Sequence, residues 1–315
     1  MRRRRAGAPA PASAAALAAL AVLAACARSA PPPAPSPAPP PAGARLGVLA
    51  PAAAETLARL GAAERVVAVG DWVTWPPELA ARPRLGSYDA PSAERLLELG
   101  VDTLITTASA AGRAERAELA RLGIEVVELD TETFEGTLAA IAELGRRVGR
   151  EAAAEALVEE IRARLDGIAR RVAGARRPRV LVAVGREPLY AAGPGSHLDE
   201  LVRLAGGENV VADAGAPWAM VSLESVLARR PEVVLDSADN RPGAARGALP
   251  GEWARWPFLP AVRDGRVYHI DPARLSVPGP RLPEMAELVA RLLHPEIFGP
   301  PRASDFGPPL AGEAR

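Results

Sequence analysis

Ser196, His197 and Asp199 stand close together in "GPGSHLDE" and carry the groups of a nucleophile, a base and an orienting acid. Hydrolytic triads are assembled in space, however, and near neighbours at a helix start point in different directions. The stretch also lacks the G-x-S-x-G elbow that exposes a serine nucleophile. It reads as a glycine turn with Ser196 as N-cap of the helix "HLDELVRLAGG". The other reactive groups are sparse. His197, His269 and His294 have no metal-ligand spacing, and the single cysteine, Cys26, has no second thiol beside it. Gly193 and Gly195 lack the third glycine of a dinucleotide fingerprint. No catalytic residue, resident metal or cofactor is assigned, and the chain is not read as an enzyme.

Binding is what the aromatics suggest. Two of the five tryptophans, Trp72 and Trp75, lie in "GDWVTWPPE", where Pro76 and Pro77 remove backbone donors and fix φ, so the segment is a loop. It follows the strand candidate "RVVAVG", and in open α/β sheets ligands sit outside the carboxyl ends of strands. Tyr88, Tyr190 (after "VAVG") and Trp218 are placed on loops of the same kind. Trp72, Tyr88, Tyr190 and Trp218 are therefore candidates to line a cleft, where each rigid ring can bury about 150–250 Å². Trp75, against Pro76, and Trp253 with Trp256 in "GEWARWPFLP" read as packing residues.

The elements that would carry these loops alternate. Strand candidates are "RLGVLA", "RVVAVG", "TLITTA", "EVVELD", "RVLVAVG", "NVVA", "EVVLDS" and "RVYHID", with helical patterns such as "AETLARLG" and "AERLLELG" between them. That alternation implies parallel sheets covered by helices, an α/β class. Between Arg150 and Ala173 the pattern changes: Leu157, Ile161, Leu165, Ile168 and Val172 recur at three or four residues, as in one continuous amphipathic helix. An internal repeat lies on either side of it. "SYDAPSAERLLELGVDTLI" (87–105) aligns with "PWAMVSLESVLARRPEVVL" (217–235), setting Tyr88 on Trp218, Ser92 on Ser222, Glu94 on Glu224 and Asp102 on Glu232. Two similar α/β lobes joined by a stiff helix imply a cleft between them.

The ends differ from the body. Arg2 to Arg5 precede an apolar run from Ala14 to Ala25, too short to span a bilayer at about 20 residues, and the pattern is that of an export signal. "LAAC" ends in Cys26, a lone thiol in an exported chain, and resembles a lipobox whose cysteine is lipidated. "ARSAPPPAPSPAPPPAGA" then forms a proline-rich tether. Expected segments are a signal at 1–25, lipidated Cys26 and tether at 26–44, a first lobe at 45–149, a bridging helix at 150–174, a second lobe at 175–298 and a disordered tail at 299–315. Of 38 basic residues the signal removes four, leaving 34 against 38 acids, a balance that argues against a nucleic-acid partner.

"RVVAVGDWVTWPPE", "GREPLYAAGPGSHLDELVRLAGGENVVADAGAPW", "VSLESVLARRPEVVL" and "GRVYHIDPARLSVPGPRL" resemble the class III solute-binding proteins of ABC importers, closest to their cobalamin-binding branch. The resemblance covers about 45–297 and implies two Rossmann-like lobes joined by one long rigid helix. It implies a corrinoid held by Trp72 and Tyr88 from one lobe and Tyr190 and Trp218 from the other, with Arg274 where a relative has a cleft aromatic. It further implies that Glu94 and Glu224 meet arginines of a permease, although a first-turn glutamate also complements the helix dipole. The expectation is a monomeric, periplasmic, lipid-anchored receptor that delivers cobalamin or a similar metal chelate to an ABC permease and its ATPase. The alternatives are a ferric siderophore, which Arg186 and Arg274 would suit, and heme, for which Tyr88 could ligate iron. A secreted enzyme on the same scaffold, or a receptor feeding a sensor, stands further off.

Overall fold

The computed structural model describes residues 43–87, 91–107, 113–239, 241 and 243–307. Cys26, the signal, residues 26–42 of the tether, and Tyr88 lie outside the described residues.

Sheet A holds β1 (Leu46–Val48), β2 (Val66–Val69), β3 (Thr103–Thr107) and β4 (Glu125–Leu129), all parallel, in the order β2-β1-β3-β4. The helices Pro51–Arg59, Ala93–Glu98 and Arg113–Arg121 occupy the connections, as parallel pairing requires. Sheet B holds β5 (Arg179–Arg186), β6 (Leu189–Ala192), β7 (Glu208–Asn209), β8 (Trp218–Met220), β9 (Val233–Asp236), β10 (Gly247–Ala248) and β11 (Val267–His269). Its order is β10-β11-β9-β5-β6-β8, with β7 beside β5. The centre, β11-β9-β5, is parallel, but β6 and β10 run antiparallel to it, and β8 pairs antiparallel with β6. An all-parallel second lobe is therefore corrected to a mixed sheet. Only Glu187 and Pro188 separate β5 from β6, a link short enough for a hairpin and too short for a crossover.

The repeat has a structural counterpart. Ser92 and Ser222 each cap the following helix, accepting from the backbone N–H groups of Arg95 and Ser225. Asp102 accepts the Arg45 N–H at 3.0 Å, and Glu232 accepts the Arg179 N–H at 2.9 Å. Each carboxylate thus ties the start of its own lobe's first strand to the next strand over.

The predicted bridging helix is Glu151–Val172, which at 1.5 Å per residue spans about 33 Å. Leu157, Ile161, Leu165, Ile168 and Val172 are all buried, as their spacing requires. The helix packs against Phe134–Val148 of the first lobe and Leu282–Leu293 of the second. Gly145 permits the first of these approaches: a Cβ there would lie 2.3 Å from Ala154 Cβ. One hydrophobic core runs continuously from Leu46 and Val48, through the bridging helix, to Val180, Val182 and Leu288. A second link crosses between the lobes near the chain's end. Arg281 donates two hydrogen bonds to Glu55 at 2.6 and 2.8 Å, and both side chains are buried.

The expectation of disorder across 299–315 fails for 299–307. Phe306 is buried and stacks on Tyr268 at 5.9 Å, while Asp305 accepts from Arg291 Nη1 at 2.9 Å. Prolines hide this in the sequence because the anchoring contacts are two isolated side chains and not a periodic pattern.

Candidate functional site

The carboxyl ends of both sheets converge on a cleft of about 600 Å³. From the first lobe come Pro51, which opens the helix after β1, and Trp72 and Thr74 from the loop after β2. From the second come Arg241, Gly243 and Arg246, in the loop after β9, and Asp271, Ser276 and Val277, after β11. A neighbouring recess of about 530 Å³ shares Arg241, Gly243 and Ala244 and extends the wall to Arg186, Glu252 and His269. Sites for small molecules run from about 300 to 1,000 Å³, so this cleft suits a bulky ligand. A rear pocket of about 90 Å³, lined by Trp75 and the Glu55–Arg281 pair, does not.

Trp72 is 51% exposed and stands on a braced loop. Val73 beside it is fully buried, and Arg84 Nη1 donates to the carbonyls of Gly70 and Val73 at 2.8 and 2.9 Å. Arg84 Nη2 adds a bond to the Ala80 carbonyl at 2.7 Å, so one guanidinium ties down both ends of the loop. Such bracing lowers the entropy lost when a ligand stacks on the ring. Sequence reasoning credited the prolines and missed Arg84, which has no local signature.

The opposite wall is polar and largely self-paired. Arg241 bonds Asp239 through Nε at 3.0 Å and Nη2 at 2.7 Å, which holds the Asp239 carboxyl well below the usual carboxylate range. Arg246 donates to the Asp239 carbonyl at 2.6 Å and lies 3.9 Å from Asp271 Oδ2. Arg186 bonds the buried Asp236 at 2.8 Å and lies 3.6 Å from Glu252. Burial lowers the His269 pKa, against the pull of Asp236. Apart from Arg186, none of these wall residues stood out in the sequence, since the wall is assembled from loops after three different strands.

The predicted site residues do not all meet. Tyr190 is not on a loop but on β6, paired with Met220 of β8, and Trp218 is on β8, paired with Ala192. Tyr190, Ala192, Trp218 and Met220 share one face of the sheet, on which Ala192 is buried and the three larger side chains are exposed. Neither aromatic lines the 600 Å³ cleft. Trp218 instead lies on the seam between lobes: its Nε1 donates to Glu132, of the segment after β4, at 2.8 Å. Nearby the Phe134 N–H donates to Glu200 at 2.5 Å across the same seam. Trp218 also meets the His197 ring at 5.6 Å, edge to face. His197 is buried, neither ring nitrogen has a partner among the described residues, and burial lowers its pKa to about 4. Ser196 caps the helix, as expected, through its bond from Asp199 N at 3.2 Å. Arg274 is not among the residues lining the 600 Å³ cleft; it is 8% exposed, and its Nε donates to the Gly307 carbonyl at 2.8 Å. Glu94 and Glu224 are both exposed in the first turns of their helices. Among the described residues no cluster of three or more His, Cys, Asp or Glu side chains could hold a metal ion, and no helix is long and apolar enough to cross a membrane.

Comparison with known proteins places these features in context. A family model described as periplasmic binding protein matches residues 47–273. The vitamin B12-binding protein of Vibrio cholerae serotype O1 is 26% identical over 250 residues, covering 79% of this chain and 88% of that protein. The crystal structure of a periplasmic vitamin B12-binding protein of Vibrio cholerae superposes with a TM-score of 0.68 at 25% identity, over 80% of this chain and 98% of that one. A periplasmic heme-binding protein from Pseudomonas aeruginosa superposes with a TM-score of 0.71 at 25% identity, over 80% and 93%.

Proposed function

The chain belongs to the periplasmic binding protein family, and from that premise we propose that it captures cobalamin outside the cytoplasm and hands it to an ABC importer. The observation that carries this reading is the cleft of about 600 Å³, with the braced ring of Trp72 on one side and a charge-paired polar wall on the other. A flat, bulky chelate can stack on the ring while its polar periphery meets the wall. The family model is that of a binding protein, which supports capture and not catalysis. Relatives named for vitamin B12 support the corrinoid. The heme-binding neighbour supports a tetrapyrrole more broadly, which makes heme the second reading.

In this reading Cys26 carries the lipid that holds the receptor at a membrane, on the tether that follows it. Glu94 and Glu224 dock the two lobes onto the permease; their exposure in matching capped helices supports the role. The continuous core and the Glu55–Arg281 link favour small closure over a wide hinge. Titration with cyanocobalamin, and in parallel with hemin, by calorimetry tests the proposal. Saturable one-to-one binding of cyanocobalamin is the expected result; binding of hemin alone would replace it with the second reading.

A further inference from the structure

We propose that the polar wall of the cleft selects a chelate rimmed with neutral carboxamides over one rimmed with carboxylates, and that Asp239 sets this preference. The inference rests on the reading that a metal chelate fills the cleft. Along the described wall Arg186, Arg241 and Arg246 stand with Asp239, Asp271 and Glu252, three guanidinium groups and three carboxylates. None of the three cations is left uncompensated. Asp239 takes both ends of the Arg241 fork, Asp271 lies near Arg246, and Arg186 sits between Glu252 and the buried Asp236. With Asp236 included the carboxylates outnumber the arginines by one.

An anionic rim would bring another carboxylate beside acids that already occupy these arginines, and like charges at contact disfavour the wrong partner. A carboxamide meets no such conflict. It donates through N–H to a carboxylate and accepts through its oxygen from a guanidinium, and it carries no charge to desolvate. Arg241 is the most exposed of the three, at 78% of its side chain, and it pairs with Asp239.

The test uses two ring pairs on the full chain: cyanocobalamin against a corrinoid whose side-chain amides are hydrolysed to carboxylates, and hemin against its bis-amide. Calorimetry on the natural protein should find the amide form of whichever ring binds preferred by roughly tenfold. Asp239→Asn keeps one side-chain oxygen to accept the Arg241 backbone N–H at 3.0 Å, removes the charge and gives up the acceptor that Arg241 Nη2 now uses at 2.7 Å. It should shrink the preference at least about threefold, chiefly through tighter binding of the carboxylate form. Arg241→Gln, should the first variant fold poorly, must widen the preference instead. Equal or tighter binding of the carboxylate form by the natural protein overturns the inference, and so does a ratio that neither variant moves. If only the heme pair binds, the cobalamin reading fails while the amide-to-carboxylate ratio still decides this one. Binding of neither ring overturns both.

Discussion

Acidification should destabilise this protein through one side chain, His197. The ring is 3% exposed, packs edge to face on Trp218 and has no hydrogen-bond partner at either nitrogen among the described residues. Burial disfavours the imidazolium and takes the pKa from 6.5 to about 4. The sign follows directly. The unfolded chain binds the proton more readily, so the stabilising contribution is complete above pH 6.5 and is lost as the pH falls from 6.5 through about 4. The gap corresponds to about 3 kcal/mol in full, and at pH 5, where the folded ring is still neutral, to about 2 kcal/mol. Many carboxylates titrate over the same range, so the comparison must be with a variant that removes only this group. His197→Leu leaves no polar atom unsatisfied and should sit within about 1 kcal/mol of the natural protein at pH 7.5. Urea unfolding followed by far-ultraviolet circular dichroism gives the two stabilities at each pH. The variant should gain on the natural protein by about 2 kcal/mol between pH 7.5 and pH 5. Stability curves that stay parallel over that range would refute a buried, neutral His197.

Three further outcomes are expected. Glu55→Ala strands a buried guanidinium and should cost about 3–5 kcal/mol in chemical denaturation, whereas Glu55→Leu with Arg281→Met should cost far less; equal losses would mean the pair does not hold the lobes together. Trp72→Ala should leave the unfolding midpoint unchanged, because the ring is half exposed, and weaken ligand binding at least about tenfold. Retention of full affinity in a titration would remove this ring from the site. Glu94→Ala combined with Glu224→Ala should preserve ligand affinity and abolish stimulation of the transporter ATPase in proteoliposomes; undiminished stimulation would exclude the docking role.

The sequence by itself determined whatever depends on near neighbours along the chain. The bridging helix was legible from five apolar positions, all buried, because a helix face is set by residues three and four apart. The parallel strands of both lobes were legible as short apolar runs, and the Ser92 and Ser222 caps as polar residues before helical patterns. The repeat even located Asp102 and Glu232, though not what they hold. Tertiary structure decided everything that depends on which distant segments meet. Strand pairing moved Tyr190 and Trp218 from supposed loops onto antiparallel strands, since edge partners are chosen by the sheet and not by the strand. The Gly307 carbonyl accepts from Arg274 Nε, and Phe306 and Asp305 fastened a tail that composition alone marks as disordered. The cleft wall is the clearest case. Arg241 and Asp239 are two residues apart, yet Arg241 comes to line the same gap as Trp72 through contacts between the lobes, among them the continuous core and the Glu55–Arg281 link. Local periodicity is written residue by residue, whereas a site between lobes depends on packing and charge pairing that close only when the whole chain has folded.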